Sequence, residues 1–354
     1  MPLALDHYRT LGRSGLKVSP VCLGTMTFGT DWGWGADEAT SRSLFDRYVE
    51  AGGNFVDTAD LYVSGRSEEM LGRFIADRQL RDRIVLATKF SYNADPGNPN
   101  AGGNGRKNML RALDGSLRRL QTDYVDLLWL HAWDLHTPVE EVLRAFDALV
   151  RSGRVRYVGL SDVPAWYMTR LQTLADAHQL ERIIALQPEY SLVERTIERE
   201  HVPAARALGI GITPWSPLAS GFLTGKYTRG VASAGRLETT KGSGNPAFEK
   251  FTDRNWAILD TVRAVASEVG TTPARVALAW VLTRPGVSSV LGGATRVEQL
   301  EDNLAALSLT LTTEHVHRLD AVSALPAAHP YSFFEPLMQG MINGGVSVQG
   351  FPDA

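Results

Sequence analysis

Four residues stand where a side chain is free to do chemistry. Asp57 ends the short apolar run 54–56, and Tyr62 follows it within Asp57-Thr58-Ala59-Asp60-Leu61-Tyr62. Lys89 closes the run 84–88, and His131 closes Val125–Leu130. A carboxylate, a phenol, an ammonium and an imidazole hold and move protons. If the runs are neighbouring strands, the four side chains meet at one end of the sheet. A buried ammonium there needs a partner, which Asp57 supplies. A phenol of ordinary pKa near 10 beside an ammonium is drawn downward, because the cation favours the phenolate. Tyr62 is then expected to be a usable general acid near neutral pH. Taken singly, each residue has a plainer reading: a structural ion pair, a hydrogen-bonded core histidine, a rim tyrosine. Their recurrence at successive strand ends points to a site.

Positioning them takes parallel strands. Short β-rich runs occur at 21–24, 54–56, 84–88, 125–130, 155–160, 183–186, 209–213 and 287–291. Amphipathic helical patterns lie between them, at 38–51, 67–79, 106–120, 138–152, 164–179, 196–208, 252–269 with 273–283, and 296–306. Ser67 followed by Glu68 and Glu69 reads as a helix start, and Thr272-Pro273 as another. Eight strand–helix pairs predict a closed (β/α)8 barrel of the TIM type, with chemistry at the C-terminal ends of its strands. Residues 8–19, turning at Arg13-Ser14-Gly15, predict a hairpin ahead of it. Extended loops are expected at 91–106 and 217–250, and an extension at 325–354 carrying Tyr331, Phe333 and Phe334. No linker divides the chain, so residues 1–354 are expected to form one barrel domain with that extension.

Composition excludes several classes. A net charge of -3 leaves no basic footprint for nucleic acid. No apolar run approaches the roughly 20 residues of a membrane span, and the first residues lack the pattern of a secretory leader. A cytoplasmic protein is expected. Cys22 is the only cysteine, which excludes an intrachain disulfide and a cysteine-built zinc site. The eight histidines lack metal-ligand spacing, so no metal is expected. The sequence is compatible with a homo-oligomer without requiring one.

The remaining strand ends are also polar: Ser161-Asp162, Gln187-Pro188-Glu189, Trp215-Ser216 and Gly293-Ala294-Thr295-Arg296. With Leu23-Gly24-Thr25-Met26, the Asp57 to Tyr62 stretch, Ala87-Thr88-Lys89, Gly159-Leu160-Ser161-Asp162, Gln187-Pro188-Glu189-Tyr190, Trp215-Ser216-Pro217-Leu218 and Gly225-Lys226-Tyr227, they run in order along nearly the whole chain. In that order the chain resembles the aldo-keto reductase superfamily, and its bacterial and potassium-channel β-subunit branch in particular.

The resemblance implies reduction of an aldehyde or ketone to an alcohol by NADPH. Asp57, Tyr62, Lys89 and His131 match the catalytic set. Tyr62 would give the proton, Lys89 tune it, Asp57 hold Lys89, and His131 orient the carbonyl. Ser161, Asp162 and Gln187 match positions at the nicotinamide carboxamide, and Trp215 matches the ring that stacks on nicotinamide. Gly24, Thr25, Met26 and Asp57 match the cofactor side of the mouth. Ser216, Pro217, Leu218, Ser220, Gly221 and Lys226, with Arg236, match the pyrophosphate loop. Gly293, Thr295, Arg296, Gln299, Asp302 and Asn303 match the adenosine end. No G-x-G-x-x-G is present, which disfavours a Rossmann domain.

Asp162 stands where many relatives have Asn, and an ionised carboxylate only accepts hydrogen bonds. Gln299 stands where some relatives place an arginine on the 2′-phosphate, a role left to Arg296 or Lys226. Phe28, Trp32, Phe90 and Trp133 are the expected walls for a small-molecule carbonyl substrate, with Met26, Trp34 and Tyr92 nearby. The resemblance also admits a channel-regulating binding module. A barrel lyase or isomerase without nicotinamide is the further alternative.

Overall fold

The computed structural model describes residues 3–231 and 235–348. The chain divides into Met1–Ser323, which carries the barrel, and Ala324–Ala354. In the first unit β1 (Arg9–Thr10) pairs antiparallel with β2 (Lys17–Val18), Arg9 opposite Val18. Eight parallel strands follow: β3 (Val21–Gly24), β4 (Phe55–Asp57), β5 (Val85–Phe90), β6 (Val125–Leu130), β7 (Val155–Ser161), β8 (Ile183–Gln187), β9 (Gly211–Ile212) and β10 (Val290–Gly292). Their spatial order is β10-β3-β4-β5-β6-β7-β8-β9. A bridge from Ile212 to Val287 and a bond from Leu291 N to Pro214 O join the two ends. The sheet is therefore a (β/α)8 barrel. The expected run 209–213 shortens to Gly211–Ile212: Gly209 caps the preceding helix at φ +72° and Ile210 N donates back to Ala205 O, while Pro214 brings no N–H to the ladder. The run 287–291 moves to Val290–Gly292: Ser288 N donates to Ile212 O and Val290 N is the first to donate to the β3 side, at Pro20 O, while Gly12 N donates to Ser288 Oγ and Ser289 Oγ donates to Ser19 O.

Side-chain alternation sorts the strands into two layers. Cys22, Phe55, Val85, Ala87, Leu127, Trp129, Ala185 and Leu291 fill the barrel, and Leu11 and Val18 of the hairpin pack with them. Leu23, Val56, Leu86, Leu128 and Leu130 face the helices. Each such burial contributes about 1.5–3 kcal/mol. Gly159 on β7 makes room for the Trp129 ring, since a Cβ there would lie 2.5 Å from it. Asp57 shares the parity of Phe55, Lys89 that of Val85 and Ala87, and His131 that of Leu127 and Trp129. Those three residues are therefore delivered to the inner face at the C-terminal rim.

The crossovers are α1 (Glu38–Glu50), α2 (Arg66–Asp77), α3 (Arg106–Leu120), α4 (Val139–Arg151), α5 (Ala165–His178), α6 (His201–Leu208), the short α7 (Arg236–Thr239), α8 (Asp253–Glu268), α9 (Pro273–Leu282) and α10 (Val297–Ala305). Ser67 does not cap α2. Gly65 does so at φ +91°, and the Ser67 hydroxyl instead donates to Thr25 O. The pattern at 196–208 splits into a 3-10 turn, Thr196–Glu198, and α6. A further helix, α11 (Thr313–Val322), was not expected. Its capping box uses His315 in place of Glu or Gln, which hides the start signal. The second unit holds a 3-10 turn, Tyr331–Phe334, and α12 (Pro336–Ile342). Among the described residues no helix is long and apolar enough to cross a membrane.

Candidate active site

Lys89 is the hub of the barrel mouth. Its ammonium is buried and donates to Asp57 Oδ2, to Thr58 O at 2.9 Å and to Tyr62 Oη at 3.0 Å. All three donors are used. The loop from Asp57 to Tyr62 is laid along β5 by Thr58 N to Ala87 O and Asp60 N to Lys89 O, which brings Tyr62 back over Lys89. Just past Tyr62, Val63 and Ser64 sit in the left-handed region, at φ +49° and +55°. That conformation is unusual for a β-branched residue and marks strain held at the site.

Burial pulls the Lys89 ammonium down, and Asp57 with Tyr62 more than reverses this, so the pair is ionised. Burial lifts Asp57, against Lys89 and Gln187. The expectation that Tyr62 lies below its ordinary value is not met. Burial holds the phenol above it, Lys89 offsets this only in part, and Asp57 adds to the rise. Tyr62 is therefore held firmly protonated, as a proton donor must be before it acts. Its acidity still depends on Lys89.

His131 stands beside the phenol, its ring centroid 6.0 Å from that of Tyr62 and edge-on to it. Burial first, then Lys89, keeps its pKa well below the usual 6.5, so the imidazole is neutral. Its Nδ1 is enclosed with no hydrogen-bond partner among the described residues. Tyr92 covers the other side at 4.8 Å from His131, and Trp32 lies 6.4 Å from Tyr62 with Trp34 behind it. Trp133 joins Trp166 and Tyr167 of α5 at 5.2 and 5.6 Å. Two expected wall residues are placed elsewhere. Phe28 is fully buried against Phe74 of α2, and Phe90 against Phe146 of α4, so both belong to the helix layer. Phe90 follows the inward Lys89 and must point outward.

The next strand ends complete the rim. Gln187 Nε2 donates to Asp57 Oδ1 at 3.1 Å, a link from β8 across to β4 that the sequence reading missed. Its inward parity with Ala185 was the available signal. Ser161 Oγ donates to Gln187 O at 2.7 Å. Asp162 Oδ1 accepts from Trp215 Nε1 at 3.0 Å.

The loop after β9 and the start of α10 assemble cations. Ser216, Ala219 and Ser220 adopt φ of +53°, +50° and +56°, and Gly221 +88°, folding the loop back on itself. A Cβ at Gly221 would approach Lys226 Nζ to 3.3 Å. Burial lowers the Lys226 pKa, and Arg236 and Arg296 lower it further. Arg236 stacks on Trp34 at 4.1 Å, a contact with no signal in the sequence. Among the described residues no carboxylate figures in the electrostatics of Lys226 or Arg236. Cations drawn together in this way fit a polyphosphate anion such as a dinucleotide. Thr295 N and Oγ1 both donate to Gln299 Oε1 at 3.0 Å. Asn303 is buried and reaches Gly293 O at 3.4 Å, while Gly24 and Pro217 are buried and Met26 and Leu218 half-buried.

Three expected cofactor contacts are already spent within the protein, Asp57 among them, with both oxygens on Lys89 and Gln187. Thr25 is fully buried, its hydroxyl donating to Asp57 O and its carbonyl accepting from Ser67 Oγ. Asp302 pairs with Arg275 at 2.7 Å and takes Thr272 Oγ1, tying α10 to the start of α9.

A family model described as the Aldo/keto reductase family matches residues 20–324. The chain is 38% identical over 329 residues to the uncharacterized oxidoreductase YrpG of Bacillus subtilis, covering 89% of this chain and 95% of that one. It is 35% identical over 342 residues to the norsolorinic acid reductase of Aspergillus flavus, covering 94% and 85%. It is 38% identical over 321 residues to a probable voltage-gated potassium channel subunit beta of Oryza sativa subsp. japonica, covering 89% and 96%.

Proposed function

Since the chain belongs to the aldo/keto reductase family, we propose that it reduces a small-molecule aldehyde or ketone with NADPH, Tyr62 giving the proton. The observation that carries this is the Asp57–Lys89–Tyr62 chain, an ionised buried pair ending in a protonated phenol 3.0 Å from the ammonium, with a neutral imidazole beside it. NADPH when bound supplies a hydride. Every other contribution belongs to the protein. The Tyr62 hydroxyl and the His131 ring, side by side, would donate to the carbonyl oxygen as it becomes negative. Such donors stabilise the transition state more than the ground state. Lys89 carries the charge that lets Tyr62 release its proton, and Asp57, fixed by Gln187, keeps that charge in place. Trp32, Trp34 and Tyr92 wall off water and favour an apolar or aromatic carbonyl. The single, buried Cys22 asks for no oxidising compartment, and a cytoplasmic setting is part of the proposal.

Lys226, Arg236 and Arg296 support the phosphorylated cofactor, because a 2′-phosphate gains charge-assisted bonds that NADH lacks. Titrations with NADPH and NADH, on wild type and on Arg296→Ala, test this. NADPH should bind tighter, by a margin that shrinks in the variant and at high salt. Equal wild-type affinities would overturn the NADPH assignment. A preference untouched by Arg296→Ala would move phosphate recognition to Lys226 and Arg236.

A further inference from the structure

Asp162 follows β7 in the left-handed region, at φ +45°, and opens onto the mouth. Its bond to the indole of Trp215 ties the end of β7 to the end of β9, two strands separated by β8. The ionisable groups that act with it are Lys89 and Tyr62 on the inner side, Tyr92 after β5, and Glu189 after β8, itself held by Lys250 at 2.8 Å. The following rests on the reading that a nicotinamide dinucleotide occupies this mouth.

We propose that Asp162 is a positioning residue that anchors the Trp215 indole and biases the site toward the oxidised, cationic nicotinamide over the neutral reduced one. An asparagine here would accept the same indole hydrogen and carry no charge. The carboxylate does both. It fixes the plane of Trp215, and when ionised it attracts a cationic ring while leaving a neutral ring unaffected. Burial pushes Asp162 up to about 7; the Trp215 bond opposes this, Glu189 adds to it and Lys89 opposes it. Water reaches the residue and tempers that rise. The carboxyl is exposed, so the bias switches on as pH climbs toward neutrality. At alkaline pH it holds the oxidised cofactor longer and slows its release after reduction.

Two readouts on wild type, Asp162→Asn and Asp162→Ala test this. In the ligand-free protein, the Trp215 Nε1–H signal, assigned with Trp215→Phe, is followed by NMR from about pH 5 to about pH 8, the span in which such a carboxylate titrates. It should move with pH in wild type, hold still in Asp162→Asn, and shift toward a free indole in Asp162→Ala. Calorimetry then gives Kd for NADP+ and NADPH at both ends of the range. The 2′-phosphate titrates in both forms, so its effect cancels in their ratio. The preference for NADP+ should grow about threefold to tenfold with pH in wild type and stay flat in Asp162→Asn. An indole signal indifferent to pH and to both substitutions overturns the anchor. Equal pH dependence of the ratio in wild type and Asp162→Asn overturns the bias. Wild type binding neither dinucleotide overturns the nicotinamide reading, and this inference with it.

Discussion

Lys89 Nζ lies 3.0 Å from Tyr62 Oη while the same ammonium is paired with Asp57. The phenol thus feels a fixed positive charge, which Asp57 offsets in part. Burial holds Tyr62 above its ordinary value, and Lys89 is the largest influence drawing it back.

Replacing Lys89 by Met removes that charge, and the phenol becomes a weaker acid. Turnover should fall steeply, and in residual activity the alkaline limb should move to higher pH. The change also leaves Asp57 buried and unpaired, at a cost of about 3–5 kcal/mol, so folding is checked by circular dichroism. A folded variant whose alkaline limb stays at the wild-type pH would show that Lys89 does not set the acidity of Tyr62.

Burial and Lys89 keep His131 neutral well below its ordinary pKa. Reduction should therefore not be lost as pH falls through about 6.5, where an ordinary histidine charges. Histidine NMR reads the titration directly, and His131→Ala should lower kcat/KM by about 10². A His131 midpoint at or above the ordinary value would contradict this.

Asp60 is a buried carboxylate, 6% exposed, whose two oxygens have no hydrogen-bond partner among the described residues. Burial first, then Glu68, push it up to about 7, against Arg119. The folded pKa exceeds the unfolded one of about 3.9, so the folded state holds the extra proton between the two values. The stability Asp60 contributes is full below about pH 4 and lost as pH rises through about 7. Asp60→Asn should therefore stabilise the protein by roughly 1–3 kcal/mol at about pH 8 relative to wild type, with the gain gone near pH 4. Urea melts at the two pH values check it. A difference independent of pH would mean that Asp60 is not ionised at a cost.

The rim was legible where strand parity decides. Phe55 and Asp57, or Ala87 and Lys89, must share a face once their runs are strands, so the Asp57–Lys89 pair follows from spacing, whereas Tyr62 lies on a loop and is brought back by backbone bonds to β5. The same rule, carried one residue further, turns Phe90 outward. Phe28 escaped it because a loop has no parity, and an aromatic there reads alike as wall or core. The Trp34–Arg236 stack and the Trp215–Asp162 bond join segments far apart in sequence, through loops with left-handed residues that no periodicity announces. Asp302 resembled a cofactor contact by position, but its carboxylate is spent on Arg275 of the neighbouring helix. The acidity of Tyr62 was misjudged for a different reason: neighbouring charges can be named from sequence, whereas the depth of burial that outweighs them cannot.

The central claim is that the proton comes from Tyr62. Tyr62→Phe removes that hydroxyl and little else, leaving the Lys89–Asp57 pair and the cation cluster in place. Single-turnover loss of NADPH absorbance with a reactive aldehyde, on enzyme shown by titration to bind NADPH, measures the step. The account predicts wild-type cofactor affinity and a hydride-transfer rate lower by about 10² to 10⁴. A variant that binds NADPH and transfers hydride within a few-fold of wild type would contradict it.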